Sequence, residues 1–182
     1  MSDVLDRYRM LADDFGARVN AVPEGAWDNQ SPCTEWKARD VVAHLANNAR
    51  RIAAQASGQE PPEPVPGEDP VAAWAEARAA LEAVLADPDR SGVNVTSPMG
   101  PLPVETFVGR FVCMDVLVHT WDLARAAGLD ETINADAAAA AFKGLQPMDA
   151  MIRRPGFFGP KVECPEGADA QTQLLTFLGR QV

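Results

Sequence analysis

Histidine is scarce in this chain: only His44 and His119 occur in 182 residues. Any chemistry that needs imidazole must run through those two. Cysteine is scarce too. Cys33, Cys113 and Cys164 are widely spaced and form no C-x-x-C, which excludes a disulfide frame or a zinc ribbon and reads as reduced thiols in a cytoplasm. No apolar run reaches the ~18 residues of a membrane helix. The N-terminus, MSDVLDRYRMLADDF, is acidic and amphipathic, without the basic region and apolar stretch of a signal peptide. Positive charge is also short: 16 Lys plus Arg against 26 Asp plus Glu give a formal net charge of -10. That balance argues against nucleic acid and anionic membrane surfaces as partners, since both select basic patches.

What is present suits one domain, residues 1–182, with a core over about 3–127 and an extension over about 128–182. This length buries a real core without staples. Val4, Tyr8, Leu11, Phe15 and Val19 recur at three- and four-residue spacing and predict a helix over 3–21, with Ser2 as its cap. A second helix is expected over 35–57, with Thr34 as N-cap and Glu35 in its first turn. The Pro-rich GQEPPEPVPG separates it from a third, which starts with Asp69 as cap and Pro70 as first residue and ends before Pro88. The VNV that follows reads as a short strand. A fourth helix is expected over 103–127, stopped by Gly128. An Ala-rich fifth begins after Asn134 and is interrupted at Pro147. The run RRPGFFGPKVECPEGAD is irregular, and AQTQLLTFLGR makes a last short helix with Leu174, Leu175, Phe177 and Leu178 buried. The fold class is all-α: a four-helix bundle with short extra C-terminal helices.

On a wheel of about 100° per residue, Asp115, His119 and Asp122 share an arc of the fourth helix of about 60°, with Val108, Phe111, Val112 and Ala126. Met114, Val116, Leu117, Val118, Trp121 and Leu123 make the rest of that helix apolar as well, which marks it as central and buried. Carboxylates there are costly unless paired or coordinated. The spacing D-x-x-x-H by itself is weak. With 26 acids in 182 residues, a helical histidine has an acid one turn away about half the time. The apolar setting is what makes the pair informative. A buried structural pair and a metal half-site both satisfy it. His44 shares its face with Lys37, Asp40, Asn48, Arg51 and Gln55, away from the apolar Val42, Leu45, Ala46 and Ala49. Those residues leave two readings open: a solvent-facing histidine, or a water-filled pocket lined by His44, Asn48 and Arg51.

The segment PCTEWKARDVVAHLANN resembles the second-helix signature of bacterial bundles related to the N-terminal domain of mycothiol-dependent maleylpyruvate isomerase, within the DinB-like, YfiT-like superfamily. VHTWDLARAAG resembles their fourth-helix signature. RRPGFFGPKV followed by LLTFLGR is similar to the tail of small single-domain relatives known only as metal-binding. The DinB-like name carries no implication of DNA binding for so acidic a chain. The resemblance implies a divalent metal, zinc first and nickel or another divalent ion as alternatives, held by a His on the second helix and an acid-x-x-x-His pair on the fourth. Matched by motif, these are His44, Asp115 and His119. Two departures stand out. The isomerases place Glu where this chain has the shorter Asp115, so a bridging water is one alternative and Asp122 a substitute ligand or outer partner. They also carry an additional C-terminal domain, where this chain has only residues 128–182.

Three functions follow as expectations. The first is a metal-dependent transferase or isomerase using mycothiol as co-substrate. The metal would favour the thiolate, which attacks a small electrophile. Asn48 and Arg51, with Arg153 or Arg154, would dock the substrate, a carboxylate being the natural partner for Arg. The second is a metal-dependent hydrolase acting through bound water, with Asp40 or Asp122 as base. The third is a non-catalytic metal- or small-molecule-binding bundle. Neither Cys33 nor Cys113 reads as a nucleophile, and Cys113 lies in an apolar stretch where thiols are inert. Bundles of this kind often form homodimers.

Overall fold

The computed structural model describes residues 3–97, 99–154 and 158–182. The expected cap Ser2 and the Pro155–Phe157 part of the tail motif lie outside the described residues. The chain divides into two compact units, Met1–Leu129 and Asp130–Val182.

The first unit is a four-helix bundle. Helix α1 (Asp3–Ala21) buries Tyr8, Leu11, Phe15 and Val19 of the expected stripe; Leu5 is buried where Val4 is only half so. Helix α2 (Ala38–Ala56) buries Val41, Leu45, Ala49 and Ile52. Helix α3 (Pro70–Leu85) begins as expected, with the Asp69 carboxylate accepting from the Ala72 N–H at 2.8 Å and Pro70 needing no partner for its nitrogen. A helical turn at Pro88–Ser91 follows. Asn94–Val95 then pairs antiparallel with Leu102–Pro103, so the VNV segment does supply a short strand. Helix α4 covers 104–127 and stops at Gly128, whose φ of 67° is the left-handed conformation that glycine adopts without penalty. Each of α1 and α2 packs on both α3 and α4, which puts α1 and α2 at opposite corners of the bundle. Phe15 meets Trp74 edge-to-face at 4.8 Å in the core between α1 and α3. No described helix is long and apolar enough to cross a membrane.

Two elements differ from expectation. Helix α2 starts at Ala38, not near 35, and Thr34 does not cap it. The cause is the preceding loop. Gln30 pairs with Lys37 in an isolated bridge, and Gln30 Nε2 sits 2.9–3.1 Å from the carbonyl oxygens of Ser31, Cys33, Thr34 and Trp36. Those carbonyls turn inward onto one amide and cannot start a helical ladder. Asp40 closes the first turn instead, accepting from the Lys37 N–H at 2.8 Å. The second difference is in α4. Val108–Val112 is a π-helical stretch between the turn Val104–Phe107 and the α-helix Cys113–Ala127. The extra residue per turn breaks the 100° wheel. The wheel therefore applies from Cys113 onward.

The second unit contains helix α5 (Ala135–Leu145), the turns Gln146–Met148 and Asp149–Ile152, and helix α6 (Ala170–Phe177). Asn134 caps α5 through the Ala137 N–H, and Phe142 meets Phe177 edge-to-face at 5.4 Å. Leu174, Leu175, Phe177 and Leu178 are buried.

Candidate metal centre

α2 and α4 bring both histidines together. His44 Nε2 lies 3.0 Å from Asp115 Oδ2, and His119 Nε2 lies 3.3 Å from Asp115 Oδ1. The rings meet edge-on at 5.1 Å. Asp115 thus offers one oxygen to each imidazole. His44 is half-buried against this carboxylate and is no solvent-facing surface residue. His119 is buried. Its other nitrogen, Nδ1, lies 2.9 Å from Asp122 Oδ2, and Asp122 is 0% exposed. That contact fixes the ring and leaves Nε2 for the Asp115 side, the arrangement by which a second carboxylate orients a metal-binding histidine.

The electrostatics are those of a tightly paired group. Burial pushes the Asp115 carboxyl up, but His119 and then His44 more than reverse this and hold it well below the usual carboxylate range. Burial likewise pushes the His119 imidazolium down, and Asp115, with smaller help from Asp122 and Cys33, lifts it well above the usual imidazole value.

One wall is polar. Asn48 Nδ2 is 3.4 Å from Asp115 Oδ2, and Arg51 Nη2 donates to Asn48 Oδ1 at 3.1 Å. Arg51 also donates to the Thr96 carbonyl at 3.3 Å and lies 6.0 Å over the Phe107 ring. Among the described residues its partners are neutral, and burial lowers its pKa with no carboxylate to offset the loss. The π-helical stretch positions this wall, because it sets the rotation between Phe107 and Asp115. Gly109 allows it: a Cβ there would meet Arg7 and Val4 of α1 at 3.0–3.1 Å.

Two neighbours were not read as site residues from the sequence. The Trp36 ring covers both histidines, 4.7 Å from His44 and 5.6 Å from His119. Cys33 Sγ donates to Asp122 Oδ2 at 3.5 Å. Both come from the loop that Gln30 closes. Trp36 and Cys33 stand inside the PCTEW segment, but no spacing reveals that this loop folds over a helix 89 positions away in the Cys33–Asp122 contact. Arg153 lies in the second unit. It pairs with Asp149 at 3.1 Å, donates to the Gly159 and Phe177 carbonyls and stacks on the Phe177 ring, so its donors are engaged there. Cys113 is buried, and burial pushes its thiol up.

The chain matches the family model of the mycothiol maleylpyruvate isomerase N-terminal domain over residues 8–124, a span that contains His44, Asp115 and His119. It belongs to that family. Two uncharacterized proteins of Mycobacterium tuberculosis, one from strain CDC 1551 / Oshkosh and one from strain H37Rv, are each 30% identical to it over 99% of this chain and 99% of their own length. No solved structure matches it.

Proposed function

We propose that the protein binds a divalent metal, zinc in the first instance, through His44, Asp115 and His119, and uses it to transfer or isomerise a small electrophile with mycothiol as the thiol partner. The observation that carries this reading is that one ligand atom from each of His44, Asp115 and His119, on two helices, lies within 4.8 Å of the others. Separations of 3.0 and 3.3 Å between imidazole nitrogens and carboxylate oxygens compare with the edge of about 3.3 Å expected around tetrahedral zinc. Family membership supports the thiol.

When bound, the metal supplies a Lewis acid that favours the deprotonated form of a sulfhydryl at neutral pH. The protein's own residues do the rest. Asp122 holds the His119 ring by accepting from Nδ1. Trp36 shields the histidine pair from water. Asn48 and Arg51 form the docking wall, and Arg51, with no carboxylate partner among the described residues, suits a substrate that brings one. The hydrolase reading loses support, because Asp40 is spent on capping α2 and Asp122 is buried against His119.

Elemental analysis of purified protein after metal supplementation tests the proposal. We expect about one equivalent in the trio, lost in His119→Ala. A folded wild type that stays metal-free would overturn it. Calorimetry on metal-loaded protein should show binding of mycothiol but not of its S-blocked form. Equal binding of the two would favour a non-catalytic bundle.

A further inference from the structure

The two nitrogens of His119 face two different sets of donors. Nε2 faces Asp115 and His44. Nδ1 faces Asp122 and Cys33, and one potential ligand atom from each of Cys33, His119 and Asp122 lies within 4.8 Å of the others. We propose that this second face is a separate cation site, selective for thiophilic divalent ions such as Zn2+ or Cd2+, with the cation taking the place of the proton that Nδ1 shares with Asp122.

The geometry argues for it edge by edge. Nδ1 to Oδ2 is 2.9 Å and Sγ to Oδ2 is 3.5 Å. Zinc bonds of about 2.0–2.1 Å to nitrogen or oxygen and about 2.3 Å to sulfur call for edges of about 3.3–3.6 Å. Small side-chain rotations supply the difference. The donors are held in place. Asp122 and His119 are buried on α4. The Cys33 backbone is pinned, with its N–H donating to Ser31 Oγ at 3.2 Å and its carbonyl accepting from Trp36 at 2.9 Å. Cys33 is half-buried, which leaves a side for the ion and a water to enter.

Donor chemistry separates the two faces. The Nε2 face is nitrogen and carboxylate only, and suits borderline and harder divalent ions. The Nδ1 face adds sulfur and favours softer ones. The inference does not rest on occupation of the first face, since Cys33, Asp122 and Nδ1 are complete as a set without His44 or Asp115.

Cobalt(II) is the probe, because a thiolate ligand gives a sulfur-to-cobalt charge-transfer band in the near ultraviolet that nitrogen and oxygen ligands do not. We expect the band in wild type and in His44→Ala, and its loss in Cys33→Ser. Saturated wild type without the band would overturn the site. So would a band that survives Cys33→Ser, which would belong to Cys113 or Cys164, or a band lost in His44→Ala, which would mean one site drawing on Cys33. A band in a wild type that takes up only one equivalent, unchanged by His44→Ala, would keep this site and sink the Nε2 reading. A second measurement needs no variant. Saturating Cd2+ should slow alkylation of Cys33 in the wild type at least about tenfold, leaving the exposed Cys164 unprotected. Equal rates with and without Cd2+ would overturn the proposal even if Cys33→Ser fails to fold.

Discussion

The two halves of the site are built on opposite principles. On α4, Asp115, His119 and Asp122 form a row in which each charge has a partner before any ligand arrives, with His119 and Asp122 buried. On α2, His44, Asn48 and Arg51 are half-buried, and Arg51 has no acid partner among the described residues. Its neighbour Arg50 shows what a structural arginine looks like in the same helix. Arg50 pairs with Glu68 at 2.7 Å and also with Glu76, and those hydrogen bonds raise its pKa. On the reading proposed above, the α4 half is fixed and carries the stability, and the α2 half is open and carries the recognition.

The sharpest way to break that contrast is His119→Ala. It takes the imidazole from the fully buried Asp122 and one of two imidazoles from Asp115, and we expect a loss of about 3–5 kcal/mol in denaturant unfolding together with loss of bound metal. A stable, metal-binding variant would end the idea of a fixed half. Asp122→Asn is milder. It keeps the shape but weakens the hold on Nδ1, and metal affinity measured by chelator competition should drop about 10–100-fold. An unchanged affinity would make Asp122 a packing residue only. Next come the twin arginines. Arg50→Gln should cost about 1.5–3 kcal/mol and leave metal and ligand binding alone. Arg51→Gln should cost less than about 1 kcal/mol yet weaken a simple dicarboxylate probe such as succinate about tenfold on metal-loaded protein. If the two variants behave alike, the assignment of recognition to α2 fails.

The smallest effect is in pH. Without a cation, Asp115 supports the fold above its unfolded pKa of about 3.9, and that support goes as pH falls through its lower folded value. His119 supports it fully below about 6.5, and that support fades as pH rises through its higher folded value. A bound cation must displace the imidazolium proton, so the rise in Tm on adding zinc should grow between about pH 6 and about pH 8. A shift that shrinks over that range would argue that the metal binds elsewhere.

The contrast also explains what the sequence could and could not disclose. Helix ends governed by adjacent residues were legible: Asp69 before Pro70, Asn134 before α5, Gly128 after α4. The start of α2 was not, because Gln30 gathers the carbonyls that a local reading assigns to a helix capped by Thr34. Asp115 and His119 stood out on physical grounds, as polar groups on an otherwise apolar helix. His44 did not, since a polar face looks the same whether it meets solvent or lines a pocket, and only the family signature separated the two. Trp36 and Cys33 were invisible as site residues because their place depends on a loop folding across the bundle. The π-helical stretch was equally hidden. It follows from the packing of α4 against α1, where Arg7 donates to the Gly109 carbonyl at 2.9 Å.

The position of Trp36 makes the site visible from outside. An excited indole is quenched by a protonated imidazole or a bound transition ion at close range, and Trp36 sits within 5.6 Å of both histidine rings. The chain has four tryptophans, so subtracting the emission of Trp36→Phe isolates this one. Protonation of the histidine pair, arrival of a cation and entry of a ligand under the ring would each change its brightness. Any cation that the centre takes up would be read in the protein's own fluorescence.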